Sequence, residues 1–181
     1  LHTAYRRQRQ MCIRDRVNVV RGMPLLMLIF WAYFVVPKLT GQVISGFWTL
    51  IAALVVYESA YLSEVIRSGI EAVPRGQIEA SRSLGVGYWT TMRRVVLPQA
   101  LFNVLPSLTS QFVSTVKETS LGYVISVNEL TFAANQVNNL VLTQPLQVFG
   151  ILAIIYFVVC FSLSRGLSWL DLRIRRQRAM A

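Results

Sequence analysis

Long apolar stretches, separated by clusters of positive charge, constrain what this chain can fold into. Hydrophobic residues make up 54% of the sequence and charged residues only 14%, whereas soluble domains average about a quarter charged residues. So few charges cannot cover a globule of this size in water, which excludes an ordinary soluble enzyme and a disordered chain. We therefore predict an all-α, polytopic membrane protein whose four spans lie in residues 23–36, 47–66, 99–127 and 146–163.

Two of these four segments depart from an uninterrupted span. Residues 23–36 are fewer than the roughly 20 that a transmembrane helix needs, and Pro37-Lys38 is expected to stop the helix. Together with residues 17–20 upstream, this segment still crosses the bilayer if it is tilted or shielded. The third segment is interrupted by Lys117-Glu118, so it is either a broken helix or a span that ends at Val116 and continues as an interfacial tail.

Lysine and arginine lie on one side of the predicted spans. Residues 67–98 contain five arginines and the last eleven residues contain four, whereas Lys38 is the only cation between the first two spans. Because cations are enriched in cytoplasmic loops, we expect residues 67–98 and both termini of this chain in the cytoplasm. The net charge of +10 therefore reflects membrane topology, and no nucleic-acid partner is expected.

Several chemistries are excluded by residues that the sequence lacks. Its two cysteines, Cys12 and Cys160, are far apart, and its only histidine is His2, so no disulfide framework, metal site or histidine-based catalysis is expected. The sequence also lacks the Gly-x-x-x-x-Gly-Lys-Ser/Thr run that cradles nucleotide phosphates. We therefore expect no cofactor and no ATP hydrolysis by this chain.

The long cytoplasmic segment is predicted to form a helical hairpin. Pro74 suits a first helical turn, and Gly85 suits the left-handed position that follows a helix end. A second short helix is predicted from Tyr88 to Val96, ending before Pro98. The hairpin exposes an apolar component, and a structured apolar knob of this kind suggests docking into a groove on another protein; its members are Leu84, Val86, Trp89 and Met92.

The same segment resembles a known signature. The Glu-Ala-Ala motif, a glycine and an Ile-x-Leu-Pro run are typical of the membrane subunits of binding-protein-dependent ABC importers, and this sequence departs from them only at Ser81 and Val95. The matching residues are Glu79, Ala80, Gly85, Leu97 and Pro98, and Ser81 and Val95 stand at the two departures. Flanking runs are similar to those of polar amino acid permeases of the histidine, glutamine and glutamate/aspartate type, at residues 21–26, 60–67, 75–77, 97–100, 117–121 and 129–130.

The resemblance implies a type I ABC importer permease core in the bacterial inner membrane. Residues 17–176 would form the permease domain with its coupling loop at about 67–98, and residues 177–181 a cytoplasmic tail. Family members usually carry a further span before the Arg-Gly-x-Pro run, so we expect an N-terminally truncated chain. Residues 1–16 are doubtful, since this basic run resembles translated sequencing-adapter sequence; a membrane-surface segment is the alternative.

The resemblance also implies partners and site residues. The partners are an ATP-binding cassette ATPase, an extracytoplasmic amino-acid-binding protein and a second permease, either the same chain or a sister chain. ATPase coupling falls to Glu79, Ala80, Ser81, Gly85, Leu97 and Pro98. The importer would move polar amino acids, with a lean towards glutamate and aspartate; another small polar solute is the alternative.

Charged residues within the spans are expensive and usually functional or paired. Glu64 lies one turn from Arg67, so a structural ion pair is expected there. Glu58 lies deeper and is either in the substrate path or in a buried pair. Lys117 is expected to pair with Glu58 or to face a cavity. The predicted substrate path comprises Glu58, Lys117, Glu118, Thr119 and Ser120.

Two other classes of function are less consistent with the sequence. A membrane enzyme would need a nucleophile and base pair, and none is evident. A channel or single-component transporter would not need a coupling hairpin, and no internal inverted repeat is evident.

Overall fold

The computed structural model describes residues 15–179, apart from the side chains of Arg175 and residues 177–179. The expectation for residues 1–14, including His2 and Cys12, lies outside the described chain. Residues 15–179 are helical with short connections and contain no strand, which confirms the predicted all-α class. The α-helices are α1 Asp15–Gly22, α2 Leu25–Thr40, α3 Gly46–Glu71, α4 Arg75–Ser83, α5 Tyr88–Thr91, α6 Leu97–Glu118, α7 Leu130–Val141 and α8 Pro145–Ala179.

The first predicted span differs from the sequence-based expectation at both ends. Residues 17–20 belong to α1, which meets α2 at 94°, so they extend the span only if this bent pair crosses the membrane as one. Pro37 does not end it, since α2 continues to Thr40 and is capped by Gly41 in the left-handed region, with φ 69°. The expectation that Pro37 stops the helix was therefore wrong, whereas the upstream extension stays a prediction.

Two prolines expected to stop helices lie instead directly after π-helical turns. Residues Trp31–Val35 precede Pro37, and residues Met92–Val96 precede Pro98. A proline ring clashes with the carbonyl four residues earlier in a regular α-helix, and in both cases that carbonyl belongs to the widened turn. The wider turn accommodates the ring, so the helix runs on from Met92–Val96 into α6.

The predicted interruption at Lys117-Glu118 falls at a change of helix type. The α-helix α6 includes both residues and ends at Glu118, and Thr119–Ile125 continues as a 3-10 helix. Ser126 then adopts a left-handed conformation, with φ 59°. The third segment is therefore a helix whose geometry changes at the charged pair, which fits the broken-helix alternative better than a span ending at Val116.

Length and apolar composition identify two described helices able to cross a bilayer. They are α3 and the Pro145–Ile174 part of α8, and the bent pair α1 and α2 makes a third if it forms one span. Helix α6 is long enough but more polar. The multi-pass membrane character is thus confirmed, whereas the span predicted in residues 99–127 stays a prediction.

The chain divides into two compact units, each with its own core. The first unit contains the described residues up to Tyr61 together with Thr115–Phe157. Its core joins α2 and α3 to the 3-10 segment, where Gly122 and Gly46 allow close approach: a Cβ on Gly122 would lie 2.6 Å from Leu50 Cδ2. The buried members are Leu25, Ile29, Leu50, Ala53, Ile125 and Val127.

The second unit contains Leu62–Ser114 and the described residues from Val158 onwards. Its core contains Val73, Val96 and Ala100, with Ile70, Ile78 and Met92 packed against it. These residues come from the end of α3, the connection to α4, α4 itself, the π turn and the start of α6. The predicted cytoplasmic hairpin is therefore built on a core of its own.

Candidate functional site

The hairpin is formed by α4, a glycine turn and α5. Gly85 has φ +72° and nothing within 4 Å of the position of a Cβ, so its conformation, and not space, favours glycine. The Gly85 N–H donates to the Arg82 carbonyl at 2.9 Å, and the Val86 N–H donates to the Ser81 carbonyl at 3.2 Å. These bonds satisfy carbonyls left free at the end of α4, and the predicted turn at Gly85 is confirmed.

A buried hydrogen bond joins the two arms of the hairpin. The hydroxyls of Ser81 and Thr91 lie 2.8 Å apart, and both residues are buried. Ser81 is the position at which this chain departs from the Glu-Ala-Ala signature, and its hydroxyl has a partner within the hairpin. Thr91 escaped the sequence-based reasoning because nothing in its local pattern marks a partner ten residues away.

The hairpin is also tied to the long helices. Gln99 Nε2 on α6 donates to Gln77 Oε1 on α4 at 2.6 Å. Asn103 Nδ2 donates to the Gly69 carbonyl at 3.3 Å, and a Cβ on Gly69 would collide with the Val104 side chain. The end of α3 and the start of α6 thus cross in close contact within this unit.

The tip of the hairpin carries its exposed apolar residues. Leu84 and Trp89 are each 81% exposed, and Tyr88 is also exposed. Val86 is half-buried, and Met92 packs against the core instead of contributing to the predicted knob. A groove of about 490 Å³ lies on the hairpin and includes Ala80, Ser81 and Leu84 among its lining residues.

The other predicted coupling residues lie around this hairpin. Glu79 is exposed on α4, Leu97 is 44% exposed and Pro98 is half-buried at the start of α6. The predicted ion pair at the end of α3 is confirmed, since Arg67 pairs with Glu64 and also with Glu71 at 2.5 Å. The second partner is one turn further along α3, a spacing that favours such pairs.

A second group of polar residues lies in the first unit, and we call Arg21, Tyr57, Glu58, Tyr61, Thr115 and Glu118 the polar cluster. Thr115 Oγ1 donates to Glu58 Oε1 at 2.8 Å, and Glu118 lies within hydrogen-bonding reach of Glu58. Two carboxylates this close repel each other when both are charged, so a proton or a cation must offset the repulsion. The cluster can therefore hold a shared proton or a cationic group.

Tyrosines connect these carboxylates to an arginine. Tyr57 Oη donates to Tyr61 Oη at 3.2 Å, and their ring centroids are 4.8 Å apart. Arg21 places its guanidinium carbon 5.1 Å from the centroid of the Tyr61 ring, a cation–π distance. The sequence pattern marked Arg21 only as part of the Arg-Gly-x-Pro run, because Tyr61, its neighbour on α3, is forty residues away.

The predicted substrate path is only partly brought together. Glu58 and Glu118 are in contact, whereas Lys117 and Thr119 are exposed and, among the described residues, Lys117 makes no ion pair with Glu58. The pairing of Lys117 with Glu58 is not found, because successive residues of a helix point about 100° apart. With Glu118 directed to Glu58, Lys117 is directed elsewhere. The alternative, that Lys117 faces a cavity, stays a prediction.

Ser120 takes part in a different network. Glu129 caps α7, accepting from the Thr131 and Phe132 N–H groups at 2.8 and 2.7 Å. Tyr156 Oη donates to Glu129 Oε2 at 3.3 Å and lies 3.3 Å from Thr131 Oγ1, with Ser120 also in its reach. This network fixes the start of α7 against α8 and the 3-10 segment.

Comparison with known proteins gives several close matches. The probable glutamine ABC transporter permease protein GlnP of Bacillus subtilis (strain 168) is 40% identical over 159 residues, which cover 87% of this chain and 72% of that protein. The glutamate/aspartate import permease protein GltK of Escherichia coli O157:H7 is 35% identical over 164 residues, covering 87% of this chain and 73% of that protein.

Solved structures match in the same way. A crystal structure of an amino acid ABC transporter with histidines has a TM-score of 0.83 and 36% identity, covering 88% of this chain and 73% of that chain. The MetNI methionine ABC transporter has a TM-score of 0.68 at 21% identity, and this likeness concerns the fold alone. The profile of the binding-protein-dependent transport system inner membrane component family matches residues 3–176. The chain therefore belongs to the family of inner membrane components of binding-protein-dependent transport systems.

Proposed function

We propose that this chain is the permease subunit of an ABC importer that moves polar amino acids into the bacterial cytoplasm. The observation that carries the proposal is the rigid hairpin with an exposed apolar tip, found in a member of this family. A transporter driven by a separate ATPase needs such a part, because force generated in one subunit must reach the spans of another. The chain then carries no ATP chemistry of its own.

In this proposal the hairpin docks into a groove of the ATPase subunit. Leu84 and Trp89 supply apolar contact, Gly85 sets the turn, and Ser81 holds α4 to α5 through Thr91. Ala80 lines the groove on the hairpin itself, and Glu79 is an exposed charge beside that groove. Movement of the docked hairpin passes to the spans through Leu97 and Pro98 at the start of α6.

The substrate path is proposed to pass the polar cluster. Glu58 and Glu118 together suit the ammonium group that every amino acid carries. Lys117, Thr119 and Ser120 are at the change from α-helix to 3-10 helix, where polar groups of broken helices commonly meet substrate. The exposure of Lys117 and Thr119 suits a position at the border of the path better than at its centre.

The relatives are named for glutamine, glutamate/aspartate, arginine and cystine. Glutamate and aspartate remain the first candidates for this chain, as the local sequence suggests, and glutamine follows from the match to GlnP. A permease for another small polar solute is the alternative. It would be favoured if no amino acid were transported.

The proposed assembly contains two permease subunits, two ATPase subunits and an extracytoplasmic amino-acid-binding protein. The second permease is either another copy of this chain or a sister chain. With residues 67–98 in the cytoplasm, both termini of this chain are cytoplasmic too, and α7 lies outside. The arrangement follows from the arginines in residues 67–98 and the absence of lysine and arginine in residues 128–145.

Uptake by the reconstituted complex tests the proposal. Proteoliposomes containing the permease and ATPase, with the binding protein, should accumulate one or more of the twenty radiolabelled amino acids only when ATP is supplied. A cysteine at Gly87 should react with an impermeant maleimide only after permeabilisation of cells, and one at Asn138 before it. ATP-independent uptake would favour a channel or single-component transporter, and the reverse labelling pattern would overturn the orientation.

A further inference from the structure

Arg21 is a half-buried cation near the end of a helix. It is in the last turn of α1, directly before the 94° bend into α2, and its guanidinium lies against Tyr61 of α3. Its Nε atom is buried without a hydrogen-bond partner. Among the described residues it makes no ion pair, although Glu58 and Glu118 of the same unit interact with Tyr57, the hydrogen-bond partner of Tyr61.

A second buried atom in the polar cluster also lacks a hydrogen-bond partner, but it is an acceptor where Arg21 Nε is a donor. Glu118 Oε2 is buried and has no hydrogen-bond partner. These two are the only unsatisfied buried side-chain nitrogen and oxygen atoms that the described chain contains. A buried polar atom left unpaired costs about 1–3 kcal/mol, more when it is charged, so both are expected to have partners in the working protein.

The two atoms are connected through the tyrosine pair. Arg21 contacts Tyr61, and Tyr61 is hydrogen-bonded to Tyr57. Tyr57 in turn interacts electrostatically with Glu118 and Glu58. Tyr61 and Glu58 are three residues apart on α3 and so lie on one face of it, less than one helical turn apart. The Arg21 donor beside Tyr61 and the Glu118 acceptor beside Glu58 are therefore next to the same face of α3, less than one turn apart.

We propose that Arg21 binds the α-carboxylate of the transported amino acid, while Glu58 and Glu118 bind its α-ammonium. A zwitterionic amino acid supplies an acceptor to Arg21 and a donor to Glu118 in one molecule. The guanidinium suits a carboxylate because its planar donors match two oxygens. This inference rests on the proposed function and names the group that recognises the backbone of the substrate.

Lys117 is the other cation that the sequence offers for this task. It is exposed, and it points away from the Glu58 side of α6. Arg21 instead contacts the ring of Tyr61 within the polar cluster. The assignment therefore replaces Lys117 by Arg21 as the carboxylate ligand.

Equilibrium binding separates the two halves of the proposal. The complete permease–ATPase complex in nanodiscs, without binding protein, is titrated with radiolabelled L-glutamate, L-glutamine and L-arginine and with their α-amides. Wild type should bind at least one amino acid about tenfold to hundredfold more tightly than its α-amide, the range expected for loss of a hydrogen bond to a charged group. Equal affinity for acid and amide would overturn the proposal, whatever the variants do.

Variants then assign the effect to Arg21. Arg21→Gln should weaken binding of the amino acid by about tenfold to hundredfold while leaving binding of the α-amide unchanged, and Arg21→Lys should restore part of the discrimination. Arg165→Gln is the matched control, because Arg165 is exposed and also lies over an aromatic ring, 5.8 Å from Phe161. It should bind like wild type.

The outcomes also distinguish this inference from the proposed function. Wild-type affinity in a folded Arg21→Gln complex overturns the role of Arg21 alone. If wild type neither binds nor takes up any amino acid, the proposed function fails and the assignment of Arg21 fails with it. If Arg21→Gln does not assemble, the comparison of acid with α-amide in wild type still decides the carboxylate contact.

Discussion

The hairpin and the polar cluster differ in how their polar groups are satisfied. In the hairpin, Ser81 bonds to Thr91, Gln77 bonds to Gln99, and the carbonyls at the end of α4 are capped. In the polar cluster, Arg21 Nε and Glu118 Oε2 are buried without partners. A part that transmits force benefits when its polar groups are hydrogen-bonded to each other, since it then moves as one body. A part that binds a changing solute must keep polar groups available.

The largest effect is expected at the hairpin turn. Gly85→Val places a β-branched side chain at φ +72°, where such residues are strained by about 1–2 kcal/mol or more, and should abolish ATP-driven uptake while membrane insertion persists. Gly85→Asn is the control, because asparagine tolerates this conformation, and it should retain most uptake. Wild-type uptake by the valine variant would show that the turn does not transmit force.

A second change tests whether the polar cluster holds a cationic group. Glu58→Gln removes a charge while keeping the acceptor for Thr115, and it should weaken amino acid binding by about tenfold to hundredfold. Glu71→Gln on the same helix is the control, since Glu71 is exposed and pairs only at the surface. Equal binding by both variants would remove Glu58 from the path.

A smaller effect is expected inside the hairpin. Ser81→Ala leaves the buried Thr91 hydroxyl without its 2.8 Å partner and should lower the unfolding free energy in detergent by about 1 kcal/mol. Adding Thr91→Val should recover part of this loss, because neither position then carries an unsatisfied polar group. A fully additive pair would mean that the two hydroxyls do not interact.

The smallest effect is expected at Lys117. Its exposure and lack of an ion pair among the described residues reverse the expectation from the sequence, where an unpaired cation within a span costs about 2.5–3.5 kcal/mol. Lys117→Met should therefore transport within about twofold of wild type, measured as initial uptake rate. A strong loss of uptake would show that Lys117 lies at the centre of the path. It would then compete with Arg21 as the carboxylate ligand.

The sequence by itself determined the features that depend on composition and near neighbours. Apolar segments between cation clusters predicted an all-α membrane protein, and the Gly85 turn and the Glu64–Arg67 pair followed from spacings of a few residues. The signature residues in register identified the family, which the match over residues 3–176 bears out. Local rules suffice here because each feature involves residues close in sequence.

Only the tertiary structure decided the contacts between distant residues. Pro37 and Pro98 continue helices because π turns precede them, Thr91 meets Ser81, and Arg21 meets Tyr61. None of these follows from propensity, since proline ordinarily ends a helix and a cation has no preferred partner forty residues away. Which polar groups end up satisfied depends on how helices cross, and that crossing is set by close packing at residues such as Gly122 against Leu50.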